Sequence, residues 1–216
     1  MKIINKVAGI VSVLCLVMVM ASCSEASPIT SEVTIFPSFE IDEPFSLIQT
    51  GSSFTDSGVK ALAGADELPF TTTGTVNTSQ PGVYRLDYAA TNTDGFDGTA
   101  SRYVAVVDDP SFIISTDISG SYTRDSNSAH VMTLTKIADG VYQADDVLPT
   151  NNIAVVLFQI SATEIIGPRQ PSRFGDIVID PSDEAGSSGT ILASGDITLR
   201  TFIGCCGIFT RRFLKN

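Results

Sequence analysis

Apolar and polar residues alternate along much of this chain, and the places where they do not are as informative as those where they do. In "GVYRLDYAAT" Tyr84, Leu86, Tyr88 and Ala90 fall on one face, with Arg85, Asp87 and Thr91 on the other. That period of two is the mark of a strand with one buried face. Val131, Thr133 and Thr135 alternate likewise against Met132, Leu134 and Lys136. "NIAVVLFQIS" (152–161) is apolar at nearly every position, as a strand covered on both faces should be. No long helical period is present in the mature chain, and turn residues recur at short intervals, so the pattern predicts an all-β fold.

The first half is expected to hold strands at Val33–Phe36, Phe45–Gln49, Gly58–Ala63, Phe70–Val76, Val83–Thr91 and Ser101–Val107. Gly64-Ala65-Asp66, Ser79-Gln80-Pro81-Gly82 and Asp94-Gly95 separate them with residues suited to tight turns. Tyr84 follows the Pro81-Gly82 turn and precedes the core position Leu86. A tyrosine so placed in an immunoglobulin-type sandwich returns its hydroxyl to backbone, forming a tyrosine corner. Asp108-Asp109-Pro110 reads as a boundary, because proline ends strand pairing. Beyond it, "HVMTLTKI", Asp139-Gly140 and "VYQADDV" predict a hairpin. "RFGDIVID" ends a strand at Pro181 and leads into a polar loop, while "DITLRTFI" and "IFTRRFLK" would close the sheet as a meander or small barrel.

Two groups of segments carry family resemblances. "FTDSGVKA" (54–61), "PGVYRLDYAATNTDG" (81–95) and "RYVAVVDD" (102–109) together resemble an immunoglobulin-like module of bacterial surface proteins. Such modules are spacers or binding domains, and the resemblance carries no catalytic residues. "DISGSYTR" (117–124), "HVMTLTKIADGVYQADDV" (130–147) and "GIFTRRFLKN" (207–216) resemble the C-terminal region of Bacteroidetes surface lipoproteins. Genes of that kind often sit in polysaccharide-uptake loci, which implies a role beside glycan import. The relatives carry a tryptophan in the middle of this region and this chain has none. The implied fold is an immunoglobulin-like β-sandwich over 32–109 and a second antiparallel β domain over 111–216.

The N-terminus fixes the expected location. Lys2 and Lys6 precede an apolar run from Val7 to Met20, which ends at Ala21-Ser22-Cys23. A charged start, a short apolar centre and small residues at the break describe a cleaved signal peptide, residues 1–22. The run is shorter than the roughly 20 residues of a membrane-spanning helix. Met20-Ala21-Ser22-Cys23 resembles a bacterial lipobox with Met at its first position, which implies cleavage before Cys23 and its lipidation. Ordinary cleavage leaving a free cysteine is the alternative. Several acyl chains on one residue suffice for stable membrane attachment, and the small polar residues 23–31 suit a flexible tether. Outer-membrane, lipid-anchored display on the cell surface follows, with the periplasmic face as the other option.

Charge narrows the partners. Removing residues 1–22 deletes two lysines and no acids, leaving 11 basic against 24 acidic residues, a net −13. That composition excludes nucleic-acid binding, which requires a concentrated positive field. The remaining partners are the membrane through Cys23, a polysaccharide, or a neighbouring outer-membrane uptake receptor.

Candidate chemistry is sparse. Cys205 and Cys206 are adjacent, and on a strand they would point to opposite faces, poorly placed to bridge; they read as small residues of a closing strand or turn. His130, the only histidine, reads as a surface residue at a strand start. Asp145-Asp146 are candidate paired acids for glycoside hydrolysis, set against a solvated strand end. Asn92, Asp94 and Asp97 are candidate calcium ligands, set against a hairpin that uses Asn, Asp and Gly for backbone geometry. "DPSDEAGSSG" (180–189) reads as a mobile loop rather than a metal site. Phe96 and Phe174, flanked by turn residues, are the candidate sugar-stacking aromatics, with core packing the competing role. The expectation is a non-enzymatic protein with no cofactor, no metal and no catalytic residues.

Overall fold

Period-two segments of β-branched and aromatic residues build sixteen strands in the computed structural model, which describes residues 34–149 and 153–216. The signal peptide and the whole 23–31 tether, Cys23 included, lie outside the described residues. The immunoglobulin-like part comprises β1 (Ser38–Ile41), β2 (Phe45–Gln49), β3 (Val59–Ala63), β4 (Asp66–Leu68), β5 (Thr71–Thr73), β6 (Gly82–Thr91) and β7 (Asp97–Val107). One sheet runs β1-β3-β4 and the other β2-β7-β6-β5, with β2 parallel to β7. Leu86, Tyr88, Ala90, Val104 and Val106 fill the space between them. The Tyr84 hydroxyl donates to the Gln80 carbonyl at 3.0 Å, completing the tyrosine corner.

Two strand expectations are corrected. No strand forms at Thr34–Phe36, and Val33 is outside the described residues. The Ile35 carbonyl accepts from the Asn92 side chain instead of a ladder, and Pro37 packs directly on Gly98 before β1 begins. The segment expected at Phe70–Val76 pairs only over Thr71–Thr73. Gly74 then turns at φ +99°, with its Cα against the Arg85 carbonyl.

Asp109 does more than mark a boundary. Its carboxylate accepts from the Phe112 N–H at 3.0 Å and caps a short helix, α1 (Pro110–Ser115), with Pro110 in the first turn. The chain then enters the second part: β8 (Gly120–Arg124), β9 (Asn127–Ala138), β10 (Val141–Asp145), β11 (Val155–Gln159), β12 (Ile165–Gln170), β13 (Ile177–Ile179), β14 (Ser188–Ile191), β15 (Ile197–Ile203) and β16 (Gly207–Lys215). The antiparallel order β13-β12-β11-β10-β9-β8-β16-β15 closes on itself through β13–β15 pairing. The small barrel is thus the outcome. β14 pairs with the other half of the same β15 edge. Closure removes most exposed sheet edges.

The inward positions Tyr122, Met132, Leu134, Tyr142, Leu157, Ile179, Leu199 and Phe213 are all fully or almost fully buried in the barrel core. Tyr122 repeats the corner device, its hydroxyl donating to the Ile118 carbonyl at 2.6 Å. Asp139-Gly140 turns the β9–β10 hairpin, but only Gly140 has positive φ, +72°. The register shifts there, leaving Ile137 as the extra residue of a bulge.

Ile35–Asn216 form one compact unit, because a second core lies where the barrel's outer wall meets the sandwich. Phe45, Leu47, Val83, Tyr103, Ala105 and Val107 pack there against Val141, Val156, Phe158 and Ile166, with Ile113 of α1. Phe158 lies 5.9 Å from the Phe45 ring and 5.5 Å from that of Tyr103. This seam explains two continuous apolar runs. β7 has one face in the sandwich and one on the barrel, and β11 has one face in the barrel and one on the sandwich.

Candidate functional site

Several residues singled out in the sequence have structural positions. Asn92 Oδ1 accepts from the N–H groups of Asp94 and Phe96 at 3.1 and 2.8 Å, the geometry of a hairpin turn. Asp97 accepts from Thr91 at 2.6 Å. Phe96 is exposed and sits edge-on to Phe36 at 5.0 Å. Phe174 takes the core role, packed against the barrel interior with the Arg173 guanidinium 5.1 Å above its ring. Asp145 accepts from Gln143 at 2.9 Å at the end of β10, and Asp146 departs from the strand with φ 60°.

Three readings are corrected. Cys205 and Cys206 form a disulfide. They occupy the turn between β15 and β16, not a strand, so the alternation that separates neighbouring side chains does not apply. His130 is 5% exposed and is not a surface residue. It shares the inward face with Met132 and Leu134, its ring edge-on to Phe213 at 5.4 Å. The 180–189 segment is tied down by its own polar groups: Asp180, also buried, accepts from the Ser182 N–H and hydroxyl, and its N–H donates to Ser187.

Sequence reasoning also missed a buried ion pair in the sandwich. Arg102 is 3% exposed and donates to Asp56 and to the carbonyls of Glu43 and Ser57; the Tyr88 hydroxyl donates to the same carboxylate at 2.7 Å. Burial, and then the Asp56 hydrogen bond, push the Tyr88 phenol well above its usual range. This network is structural, since every donor in it that the interior covers has an acceptor.

Among the described residues, two of the places that gather polar side chains bear on binding. The first is a cleft of about 460 Å³ at the sandwich–barrel junction, lined by Val83, Arg85, Pro168, Arg169, Asp180 and Asp183, with Ser182 beside them. Arg169 grips Asp183 through two hydrogen bonds of 2.9 and 3.0 Å and reaches Asp176 at 3.1 Å. The Asp183 and Asp176 carboxylates hold its pKa above the ordinary guanidinium value. Arg85 donates to the Arg169 carbonyl and pairs with Asp87 at 2.8 Å. The cleft therefore offers donors and acceptors of both signs on rigid elements from each part.

The second place is the barrel end where β8 turns to β9, β12 to β13 and β15 to β16. Antiparallel partners point to the same side of a sheet, so the register Leu199↔Arg211 and Phe213↔Arg124 turns both arginines inward. Thr201, opposite Phe209, joins them and is fully buried. Arg211 lies 5.3 Å over the Phe209 ring. His130 Nε2 meets the Asp146 carbonyl at 2.5 Å, so that nitrogen carries the proton. The Nε and Nη1 of Arg211, Nε of Arg124, Nδ1 of His130 and Oγ1 of Thr201 are buried without a hydrogen-bond partner. Burial, then the like charge of Arg124, lower the Arg211 pKa from its ordinary value. The 205–206 disulfide borders this end: the Gly204 and Cys205 N–H groups donate to the carbonyls of Asp176 and Phe174 at 2.8 and 3.0 Å. The signal for this site was legible in "IFTRRFLK", where Phe209, Arg211 and Phe213 share one face and place an arginine on the apolar side of the strand.

Residues 42–106 match the family model described as bacterial surface protein, Ig-like domain. The crystal structure of a lipoprotein from Bacteroides thetaiotaomicron is 18% identical to this chain, with a TM-score of 0.34; the match covers 84% of this chain and 100% of that one. No curated protein matches. The chain thus carries an immunoglobulin-like domain of the bacterial surface type, fused in one compact unit to an eight-stranded barrel with β14 alongside.

Proposed function

We propose that this protein is a cell-surface lipoprotein, tethered to the outer membrane by lipid on Cys23, that serves as a non-enzymatic accessory in nutrient capture, with a glycan as the nutrient. The observation that carries the reading is the surface-type immunoglobulin-like domain over 42–106, preceded by the lipobox-like Met20-Ala21-Ser22-Cys23. The seam around Phe158 makes that domain a rigid stalk, so the barrel is presented at a fixed attitude instead of swinging on a linker. The junction cleft supplies what a hydroxyl-rich ligand needs, namely convergent charged donors and acceptors held by strands. Its Asp183 carboxylate is committed to Arg169 and its Asp180 carboxylate to Ser182, an arrangement suited to holding a ligand and not to acid–base chemistry.

A binding screen of the full chain against neutral and acidic polysaccharides tests the reading. Retention of at least one glycan, weakened by Arg169→Ala, is expected; retention of none would remove the capture role. A second reading, an interaction subunit that docks on an uptake receptor and binds no glycan, draws on one feature of β16. Its first half, Gly207–Arg211, pairs with β15 but has no neighbour on its other edge among the described residues. Ile208 and Phe209 are exposed along it, and such an edge accepts an added strand.

A further inference from the structure

We propose that the β15–β16 end of the barrel binds the acid group of an anionic sugar, with Arg124 and Arg211 taking the carboxylate and His130 and Thr201 taking an adjacent hydroxyl. The proposal rests on the capture reading only in making a sugar the bearer of that group.

The first argument is one of unmet need. Buried polar atoms in folded proteins nearly always have partners, and each exception calls for a reason. Here five such atoms on four strands converge on one end of one barrel: two of Arg211, one of Arg124, one of His130 and one of Thr201. Two guanidinium groups repel, and leaving them covered without an anion is costly. Among the described residues no carboxylate bonds to either one, in a chain with 24 acids to spare. Other arginines were given acids. Arg102 has Asp56, Arg169 has Asp183 and Asp176, and Arg212, one position from Arg211 but facing outward, has Asp196 at 2.8 Å. Among the arginines that the fold covers at least in part, the inward pair is the exception, and a pair of planar forks is the arrangement that matches an oxyanion.

The second argument selects the chemistry beside the anion. The Asp146 carbonyl holds the proton on His130 Nε2, so in the neutral ring it is Nδ1 that presents a lone pair. A bare oxyanion cannot donate to that lone pair, whereas a hydroxyl can. Thr201 Oγ1 both donates and accepts. The ligand therefore carries an acid group next to a hydroxyl. Phe209 adds a third constraint. It is 40% exposed, faces the same side as Arg211 and Thr201, and its ring is already held by the guanidinium at 5.3 Å. A flat apolar surface at the rim suits the apolar face of a sugar ring and is of no use to inorganic phosphate. A uronic acid satisfies all three constraints.

Titration calorimetry on the full chain in detergent, with sodium glucuronate, its neutral analogue glucuronamide and inorganic phosphate, tests this. Glucuronate is expected to bind at least tenfold tighter than either, and Arg211→Gln and Arg124→Gln should each weaken it at least tenfold. Because each change removes a half-buried guanidinium with unpartnered nitrogens and relieves the repulsion between the two, the ligand-free variants should melt no lower than wild type. Independently of any variant, glucuronate should protect Arg124 and Arg211 from an arginine-modifying dicarbonyl, read by peptide mass mapping. Glucuronate binding no tighter than glucuronamide, phosphate binding as tight as glucuronate, or modification unaffected by ligand would each overturn the site. Binding of a neutral polysaccharide with unchanged affinity in Arg211→Gln, alongside absent glucuronate binding, would overturn this site and leave the capture reading standing.

Discussion

Truncating Phe158 to alanine probes the claim that sandwich and barrel are one rigid body. Phe158 is fully buried although its side chain is on the outside of the barrel, and the residues that cover it, Phe45 and Tyr103, belong to the sandwich. An aromatic side chain covers at least ~150 Å², which at ~25 cal/mol per Å² corresponds to about 4 kcal/mol of burial, less what the remaining methyl retains. Two ring–ring contacts add roughly 1 kcal/mol together, and the resulting ~4 kcal/mol agrees with the range for phenylalanine-to-alanine changes in cores. For a unit of this size each kcal/mol lowers Tm by about 2–4 °C, so a fall of about 8–16 °C is expected. The loss should be unevenly distributed. The seam is what couples the two parts, so a single calorimetric transition in the wild type should broaden or divide in Phe158→Ala. Phe158→Leu should lose less than half as much. Differential scanning calorimetry reads all of this, and a loss under about 1 kcal/mol with one sharp transition would refute the seam as the coupling element.

Three further outcomes are expected. Asp56→Ala strands the Arg102 guanidinium inside the sandwich, and since Asp56 is itself partly exposed the cost is at the low end for a broken buried pair, about 3 kcal/mol, measured by urea unfolding. Burial in the barrel, with the nearby Tyr142, Asp117 and Asp196, raises the Tyr122 pKa to about 12. The folded state thus favours the neutral phenol, so its contribution is complete below pH 10 and fades between pH 10 and 12; ultraviolet difference titration of wild type against Tyr122→Phe should show that phenol titrating late. Reducing the 205–206 disulfide should change stability by less than about 1 kcal/mol, because a bond between exposed neighbours closes no chain loop; a thermal melt with and without a phosphine reductant checks it.

The all-β architecture was legible because it is written in alternation. Leu86, Tyr88 and Ala90 were placed correctly on the buried face by period alone, with the half-buried Tyr84 leading them, and the tyrosine corner followed from a turn preceding Tyr84. The doubly apolar β11 was rightly read as covered on both faces. Its twin, β7, carried the same signal in "YVAVV", and together they imply the seam, yet nothing local says which surface covers which. Short elements were lost for a related reason: α1 spans six residues and β14 four, too few for a period to develop. His130 was misread although it shares the parity of Met132 and Leu134, because it opens its strand beside a polar turn; the cysteines were rightly allowed a turn, but their bridge was missed because strand alternation does not apply inside the β15–β16 turn. The barrel-end site was half legible. Arg211 stands between Phe209 and Phe213 in the sequence, but its approach to Arg124 and Thr201 exists only once β16 pairs with both neighbours.

The account as a whole depends on where this unit is held. Intact-mass and peptide analysis of the protein from its native host, with and without protease treatment of whole cells, measures that directly. The account predicts a mature chain beginning at Cys23, heavier by its fatty acyl groups, and shaved from intact cells by the protease. A chain beginning elsewhere without acyl groups, or one untouched by protease until the cells are opened, would contradict it.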